Sequence, residues 1–316
     1  MIVTLTPNPS LDRTLEVPSL INGDVIRASS TRIDAGGKGI NVSRALRGFG
    51  IASEAIFPVG GLEGNQIIRL LEDELVVVRS VSIASSIRMN ISIVEPGGLV
   101  TKINEPGPCL SDDEEAALIT MTKIHGGGAR WVVGSGTLPK GMRKDFYSRL
   151  MNELSDCGCK VAIDTSGDAL NTVIPYGPTI VKPNREELEG FCGQEIVTLG
   201  DAIDAAKSLL AAGAKSALVS LGSHGAFYIN ERQLIYGEVR PSAIRSSVGA
   251  GDCLLAGFLS AYEPGQQALA EALAWAGASV SLPGSVMPNR AVVDRSSVVM
   301  HNEIDRTKLI KEGSSK

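Results

Sequence analysis

The sequence predicts an α/β fold in which a mostly parallel central sheet lies between layers of helices and a small β-sheet forms a lid. Two observations carry that prediction. Apolar, β-rich runs recur at residues 2–5, 55–59, 131–133, 161–164, 179–181 and 217–220. Each is followed or preceded by ten or more residues with apolar positions at helical spacing, which is the rhythm of parallel β-α-β units. Two stretches, about residues 12–33 and 88–104, break the rhythm. They are short alternating runs with turns such as Asn22-Gly23 and Pro96-Gly97-Gly98 and no helix between them, so they are expected to pair as a separate sheet.

Taken in order, Ile2 to Leu5 opens the sheet, and Val42, Ala45, Leu46 and Phe49 fall at helical spacing behind it. A strand at 55–59 and the apolar positions Ile67, Ile68 and Leu71 repeat the unit. Two later helix starts are marked by a cap residue with glutamate three positions on, Ser111 with Glu114 and Asn184 with Glu187. The irregular segments suit a lid over the carboxyl ends of the parallel strands, where such sheets bind ligands. Residues 1–300 are expected to form one domain, and residues 301–316, polar and ending in Gly313-Ser314-Ser315-Lys316, a frayed tail.

Composition narrows the functional classes. With 43% hydrophobic and 21% charged residues, the chain has the material for a packed core. A net charge of −5, with the short basic runs broken by acids, leaves no continuous positive face, so neither nucleic acid nor an anionic membrane is an expected partner. No apolar run reaches spanning length and no targeting region precedes the first strand, which points to the cytoplasm. The five cysteines lack paired Cys-x-x-Cys spacing and read as reduced thiols, and the three histidines are scattered.

The strongest chemical signal is Ser247-Val248-Gly249-Ala250-Gly251-Asp252, which opens the apolar helical run 253–259. Glycines there let backbone N–H groups converge at a positive helix end, suited to phosphate oxygens or a phosphoryl group in transfer. Asp252, in the first turn, can take a proton from a substrate hydroxyl, or it can simply complement the helix dipole. A second glycine loop, Asp34-Ala35-Gly36-Gly37-Lys38-Gly39-Ile40-Asn41, also precedes a helix. Gly37, Lys38 and Asn41 suit a polyol or phosphate, and the loop also reads as a plain strand-to-helix turn.

Thr6-Pro7-Asn8-Pro9-Ser10-Leu11-Asp12 follows the first strand, placing Asn8 and Asp12 at the carboxyl edge of the sheet, where Asp12 can hold sugar hydroxyls or cap a turn. On the lid, Arg88 and Asn90 alternate on one strand face, and Lys102 and Asn104 repeat the spacing; they can reach a phosphate and a hydroxyl, or stay solvated. In Lys182-Pro183-Asn184-Arg185-Glu186-Glu187, Asn184 and Glu187 can orient magnesium-bound waters or phosphates, cap their helix, or both. Ser220-Leu221-Gly222-Ser223-His224-Gly225 ends a strand in a glycine turn suited to a nucleotide.

Taken together, these motifs resemble the phosphofructokinase B-type sugar kinases of the ribokinase superfamily, from the first strand to about residue 290. The loops at 36–39 and 249–252 are similar to that family's two signature regions. The stretch 6–12, Arg88-x-Asn90 and residues 101–108 resemble the branch acting on phosphorylated ketohexoses, nearest 1-phosphofructokinase, with tagatose-6-phosphate kinase a near relative. The resemblance implies a ribokinase-like three-layer sandwich and magnesium-ATP-dependent phosphorylation, with fructose 1-phosphate the first expectation.

It also implies Asp252 as general base and the amides around Ala250 and Gly251, with Gly249, as the anion hole. Asp12, Gly37, Lys38, Asn41 and Arg88 would hold the sugar phosphate, with Thr137 near it. Lys182, Asn184, Ser220, Gly222, Gly225 and Val248 would face ATP, Glu187 would lie near magnesium, and a homodimer would form through the lid. Ser247 stands where threonine is usual, and residues 281–285 do not match the family pattern cleanly, which leaves the adenine contacts and any monovalent-cation site open. Other sugars or nucleosides as acceptors, 6-phosphofructokinase activity, and a non-catalytic ligand sensor on the same scaffold are the alternative readings.

Overall fold

The computed structural model describes residues 1–311. Along the chain run β1 (Ile2–Leu5), β2 (Ser10–Glu16), β3 (Ser30–Gly36), α1 (Lys38–Gly48), β4 (Ser53–Val59), α2 (Gly61–Asp73), β5 (Val77–Ser82), β6 (Arg88–Val94) and β7 (Val100–Asn104). There follow α3 (Asp112–Gly126), β8 (Trp131–Ser135), α4 (Phe146–Leu154), β9 (Lys160–Asp164), α5 (Gly167–Val173), β10 (Ile180–Val181), α6 (Arg185–Cys192) and α7 (Leu199–Ala211). The chain continues through β11 (Ser216–Ser220), β12 (Ala226–Asn230), β13 (Leu234–Val239), α8 (Ala250–Ser260), α9 (Gln266–Val280) and β14 (Val298–His301).

Ten strands form the main sheet in the order β14-β13-β12-β11-β10-β9-β8-β1-β4-β5. The seven from β11 to β5 are parallel, as the β-α-β rhythm predicts. Strand residues alternate between two cores, because successive side chains point to opposite faces. Val3, Leu5, Val132 and Ile163 pack towards α2, α3, α4 and α7, whereas Ile2, Trp131, Val133 and Ala162 pack towards α1, α8 and α9. Those two cores make the three layers.

The second sheet has the order β3-β2-β6-β7. It pairs β2 antiparallel to β3 and parallel to β6, with β6 antiparallel to β7. Asp12 therefore sits within a lid strand, opposite Asp34 and Asn90, and not at the edge of the main sheet. Residues 17–29 connect β2 to β3 without regular structure. The expected turn at 96–98 closes β6 onto β7.

Two differences from the sequence reading have physical reasons. The strands β12, β13 and β14 extend the sheet antiparallel beyond β11; β14 and β13 pair across nearly sixty residues, a register that no local pattern announces. The tail is not frayed where it is described. His301 ends β14, Ile310 is 3% exposed, its N–H donates to Val197 O, and Lys308 bonds both Tyr236 and Glu238. One buried isoleucine and an ion pair hold an otherwise polar segment to the body. The rest of the expected tail, 312–316, lies outside the described residues.

Candidate active site

Parallel strands end on one edge of the sheet, and the chain's polar residues gather there. β9 ends in Asp164, and Lys182 follows β10 directly. Because Val181 pairs with Ile163, the register sets Lys182 beside Asp164. Lys182 Nζ lies 3.2 Å from Asp164 Oδ2, with side chains 5% and 0% exposed. Lys38, the first residue of α1, approaches the other carboxylate oxygen at 2.8 Å and Glu187 Oε1 at 3.5 Å. A fully buried carboxylate is costly unless paired, and two ammonium groups pair this one. Burial pushes the Asp164 carboxyl up, but Lys182 and Lys38 outweigh that and hold it below the usual range. Burial likewise opposes the charge on Lys38, and Asp164 and Glu187 outweigh it.

Both glycine loops open helices whose N-cap residue has no side chain to cap with, and in α1 the Thr6 hydroxyl accepts from Ile40 N–H at 3.0 Å instead. The N-cap of α8 is Gly249, at φ 77°, a left-handed geometry that favours glycine. The first-turn N–H groups of such a helix lack intrahelical partners. A Cβ added to Gly251 would stand 3.4 Å from Lys182 Nζ, so that ammonium lies against the same helix end. The N-cap of α1 is Gly37, at φ 125°.

Asp252, 7% exposed, joins the two helices, since Asn41 Nδ2 donates to its Oδ2 at 2.8 Å. Burial, and then repulsion from Asp164, push the Asp252 carboxyl up to about 6, against the Asn41 hydrogen bond and the charges of Lys182 and Lys38. A carboxylate poised near neutrality beside the first-turn N–H groups of a helix and two cations can accept a proton while phosphoryl charge is held nearby.

The lid supplies a second group. Asp12 Oδ1 accepts from Ser10 Oγ at 2.7 Å and from Asn90 Nδ2 at 2.9 Å. A Cβ on Gly36 would lie 2.3 Å from Asp12 Oδ2, so only glycine admits that carboxylate. Arg88 pairs with Ser10 in register and donates to the Asn8 and Pro9 carbonyls at 3.3 and 3.4 Å. Burial lowers its pKa, and Asp12 opposes that shift. Asn104 lies opposite Asn90 and Lys102 opposite Ser92, so both share this face, exposed to solvent. Thr137, also exposed, follows β8.

On the side of β11, Asn184 and Glu187 form the expected capping box. Asn184 Oδ1 accepts from Glu187 N at 2.7 Å, and Glu187 Oε2 accepts from Asn184 N at 3.0 Å. Asn184 also bridges to Ser220, whose strand runs into the turn Gly222–Gly225. Val248 precedes Gly249 and is half-buried. The structure thus draws Lys38, Asn41, Lys182, Glu187 and Asp252 into one cluster and Asp12, Arg88 and Asn90 into a second on the lid, with Asn184 and Ser220 beside the first. Asp164 was missed in the sequence, its only trace being an acid that ends an apolar strand.

The family model for the pfkB family carbohydrate kinases matches residues 8–290. The chain belongs to that family. This pfkB-family kinase is 33% identical over 261 residues to the 1-phosphofructokinase of Bacillus subtilis (strain 168), covering 82% of this chain and 85% of that protein. It is 34% identical over 257 residues to the ATP-dependent 6-phosphofructokinase isozyme 2 of Escherichia coli (strain K12), covering 80% and 83%. Escherichia coli phosphofructokinase-2, solved in complex with substrates and products, superposes with a TM-score of 0.86 at 30% identity, covering 92% of this chain and 96% of that one. The architecture is ribokinase-like, as expected. A pfkB-family member is a phosphotransferase acting on a hydroxyl group, with ATP as co-substrate.

Proposed function

We propose that this kinase phosphorylates a ketohexose phosphate, with fructose 1-phosphate as the main substrate and fructose 1,6-bisphosphate as the product. The observation that carries the reading is the buried Asp252 carboxylate at an uncapped helix N-terminus, hydrogen-bonded to Asn41 and flanked by Lys182. In-line transfer needs positioning and charge stabilisation more than covalent chemistry. The sugar hydroxyl oxygen bonds to the γ-phosphorus, the bond to the ADP oxygen breaks, and the hydroxyl proton passes to Asp252. Amides around Ala250 and Gly251, with Lys38 and Lys182, receive the charge on the transferring group.

In this reading Asp12, Gly37, Asn41, Asn90, Asn104 and Thr137 serve the sugar, and Arg88 and Lys102 take the phosphate it already carries. Lys182, Asn184, Ser220, Gly222, Gly225 and Val248 serve the nucleotide. Among the described residues no three of His, Cys, Asp and Glu group as direct metal ligands. Glu187 presents one carboxylate oxygen towards Lys38 while the other caps α6. One such carboxylate suits magnesium arriving on ATP with its own waters, which Glu187 would accept from. When bound, magnesium neutralises phosphate charge.

Fructose 1-phosphate is put first because the Bacillus relative is named a 1-phosphofructokinase; the Escherichia relative favours 6-phosphofructokinase activity as the second reading. The test is steady-state ADP release with magnesium-ATP against fructose 1-phosphate, fructose 6-phosphate, tagatose 6-phosphate and fructose, for wild type and Arg88→Ala. We expect fructose 1-phosphate to dominate and Arg88→Ala to raise its KM at least tenfold with the ATP KM within twofold. Equal loss for both ligands would remove Arg88 from the sugar-phosphate site, and efficient turnover of fructose would refute the phosphorylated-acceptor reading. Exposed Leu99, Ile103 and Val25 on and beside the lid support self-association there, checked by mass in solution. No helix among the described residues is long and apolar enough to cross a membrane; cytoplasmic location is part of the same proposal.

A further inference from the structure

Besides the half-buried Lys38, helix α1 carries a buried cation that the chemistry above does not use. Arg44 lies three residues beyond Asn41, and its side chain is 4% exposed. Its Nε and Nη2 fork onto Glu74 at 2.7 and 2.6 Å, just past the end of α2. Its remaining nitrogen, Nη1, donates to Ala35 O at 3.1 Å, to Ser285 O at 3.3 Å and to Asn41 Oδ1 at 3.5 Å. The opposite end of the same amide, Asn41 Nδ2, donates to Asp252 Oδ2.

An amide has a donating end and an accepting end, and what surrounds it decides which way round it sits. With a guanidinium at one end and a carboxylate at the other, Asn41 has a single favourable orientation. Flipped, its NH2 would face a cation and its oxygen an anion. The 3.5 Å contact is long for a hydrogen bond, so it acts mainly as a fixed charge on a dipole in a buried setting.

We infer that Arg44 is a positioning residue for phosphoryl transfer: held by Glu74, it locks the Asn41 amide so that the amide donates to Asp252 and keeps that carboxylate aimed and ready to accept a proton. The same nitrogen ties the end of lid strand β3, at Ala35, to the segment after α9, at Ser285. This inference rests on Asp252 being the base. The Glu74 fork and the bonds to the Ala35 and Ser285 carbonyls hold the structure together, and the Asn41 contact is the one that reaches the base. Glu74 is 40% exposed, and of the groups that Nη1 meets, Asn41 is the one that also bonds Asp252.

The charged groups facing Asp252 are Asp164 on β9, Lys182 after β10 and Lys38 on α1, with Glu187 on α6 reaching it through Lys38. None of them contacts Arg44 among the described hydrogen bonds and ion pairs, so Arg44→Gln changes the base chiefly through Asn41. Freed to turn, the amide no longer reliably donates to Asp252, and the carboxylate binds its proton more tightly.

The test follows kcat/KM for fructose 1-phosphate and fructose 6-phosphate between pH 5 and 9 by ADP release, in Arg44→Gln, Arg44→Lys, Glu74→Gln, Asn41→Ala and the Arg44→Gln/Asn41→Ala double variant. Expected for Arg44→Gln are a fall in kcat of about tenfold or more, an ATP KM within twofold of wild type, and an acid limb moved up by about one pH unit. Arg44→Lys and Glu74→Gln should show smaller shifts in the same direction. In the Asn41→Ala background, Arg44→Gln should leave the limb where Asn41→Ala puts it. An Arg44→Gln enzyme that melts cooperatively and loses rate with its limb unmoved, or losses that simply add in the double variant, overturns the inference. If Arg44→Gln does not fold, Arg44→Lys decides by the same limb. Wild-type activity in Asp252→Asn would instead overturn the base assignment itself, so the two failures are told apart.

Discussion

Asp252→Asn should stabilise this kinase while abolishing its turnover, and the pH dependence of the gain follows from the site. The carboxyl moves from 3.8 to about 6 on folding, mainly through burial and then through Asp164. A shift of about two units, at about 1.4 kcal/mol per unit, is about 3 kcal/mol. Asp252 is 7% exposed, so solvent screening reduces that little. Because the folded-state value is raised, the folded chain binds this proton more tightly than the unfolded chain. The stability it contributes is full below about pH 4 and is lost as pH rises through about 6. Asparagine is neutral throughout and can still accept from Asn41. The variant should therefore match wild type near pH 4 and exceed it by about 3 kcal/mol at pH 8. Urea unfolding followed by circular dichroism at pH 4.5, 6 and 8, alongside ADP release, reads both effects. A stability difference that stays constant across that range refutes the raised carboxyl, and full turnover in the variant refutes its catalytic role.

Lys182→Met removes one of the two cations on the buried Asp164 and one cation near Asp252. It should cost about 3 kcal/mol of stability by melting and move the acid limb of kcat/KM upward, since losing a nearby positive charge disfavours ionised Asp252. Asn184→Ala breaks the capping box of α6; a loss of about 1 kcal/mol together with a raised magnesium-ATP KM is expected, and the stability loss alone would confine Asn184 to capping. A chain ending at His301 exposes the apolar site that Ile310 fills and loses the Lys308 contacts. It should unfold with about 2 kcal/mol less stability, and an unchanged urea midpoint would show that the segment contributes nothing.

Much of this molecule is legible along the chain because the responsible physics is local. The parallel strands announce themselves as short apolar runs, and the starts of α3 and α6 are marked by Ser111-Glu114 and Asn184-Glu187, pairs that close their own hydrogen bonds within one turn. The glycine runs before α1 and α8 are equally local, since positive φ at Gly37 and Gly249 is a property of single residues. Asp164 was not legible, because its meaning depends on strands β9 and β10 lying side by side in one register and on α1 bringing Lys38 across 126 residues. Arg44 was invisible for the same reason, its partners being spread from Ala35 to Ser285. The polar segment after His301 reads as a tail until Ile310 finds its buried site. Local propensity and pattern determined the elements and the two glycine loops of this kinase; long-range register and burial, which no window of sequence contains, decided which charges meet and which carboxyl keeps its proton to about pH 6.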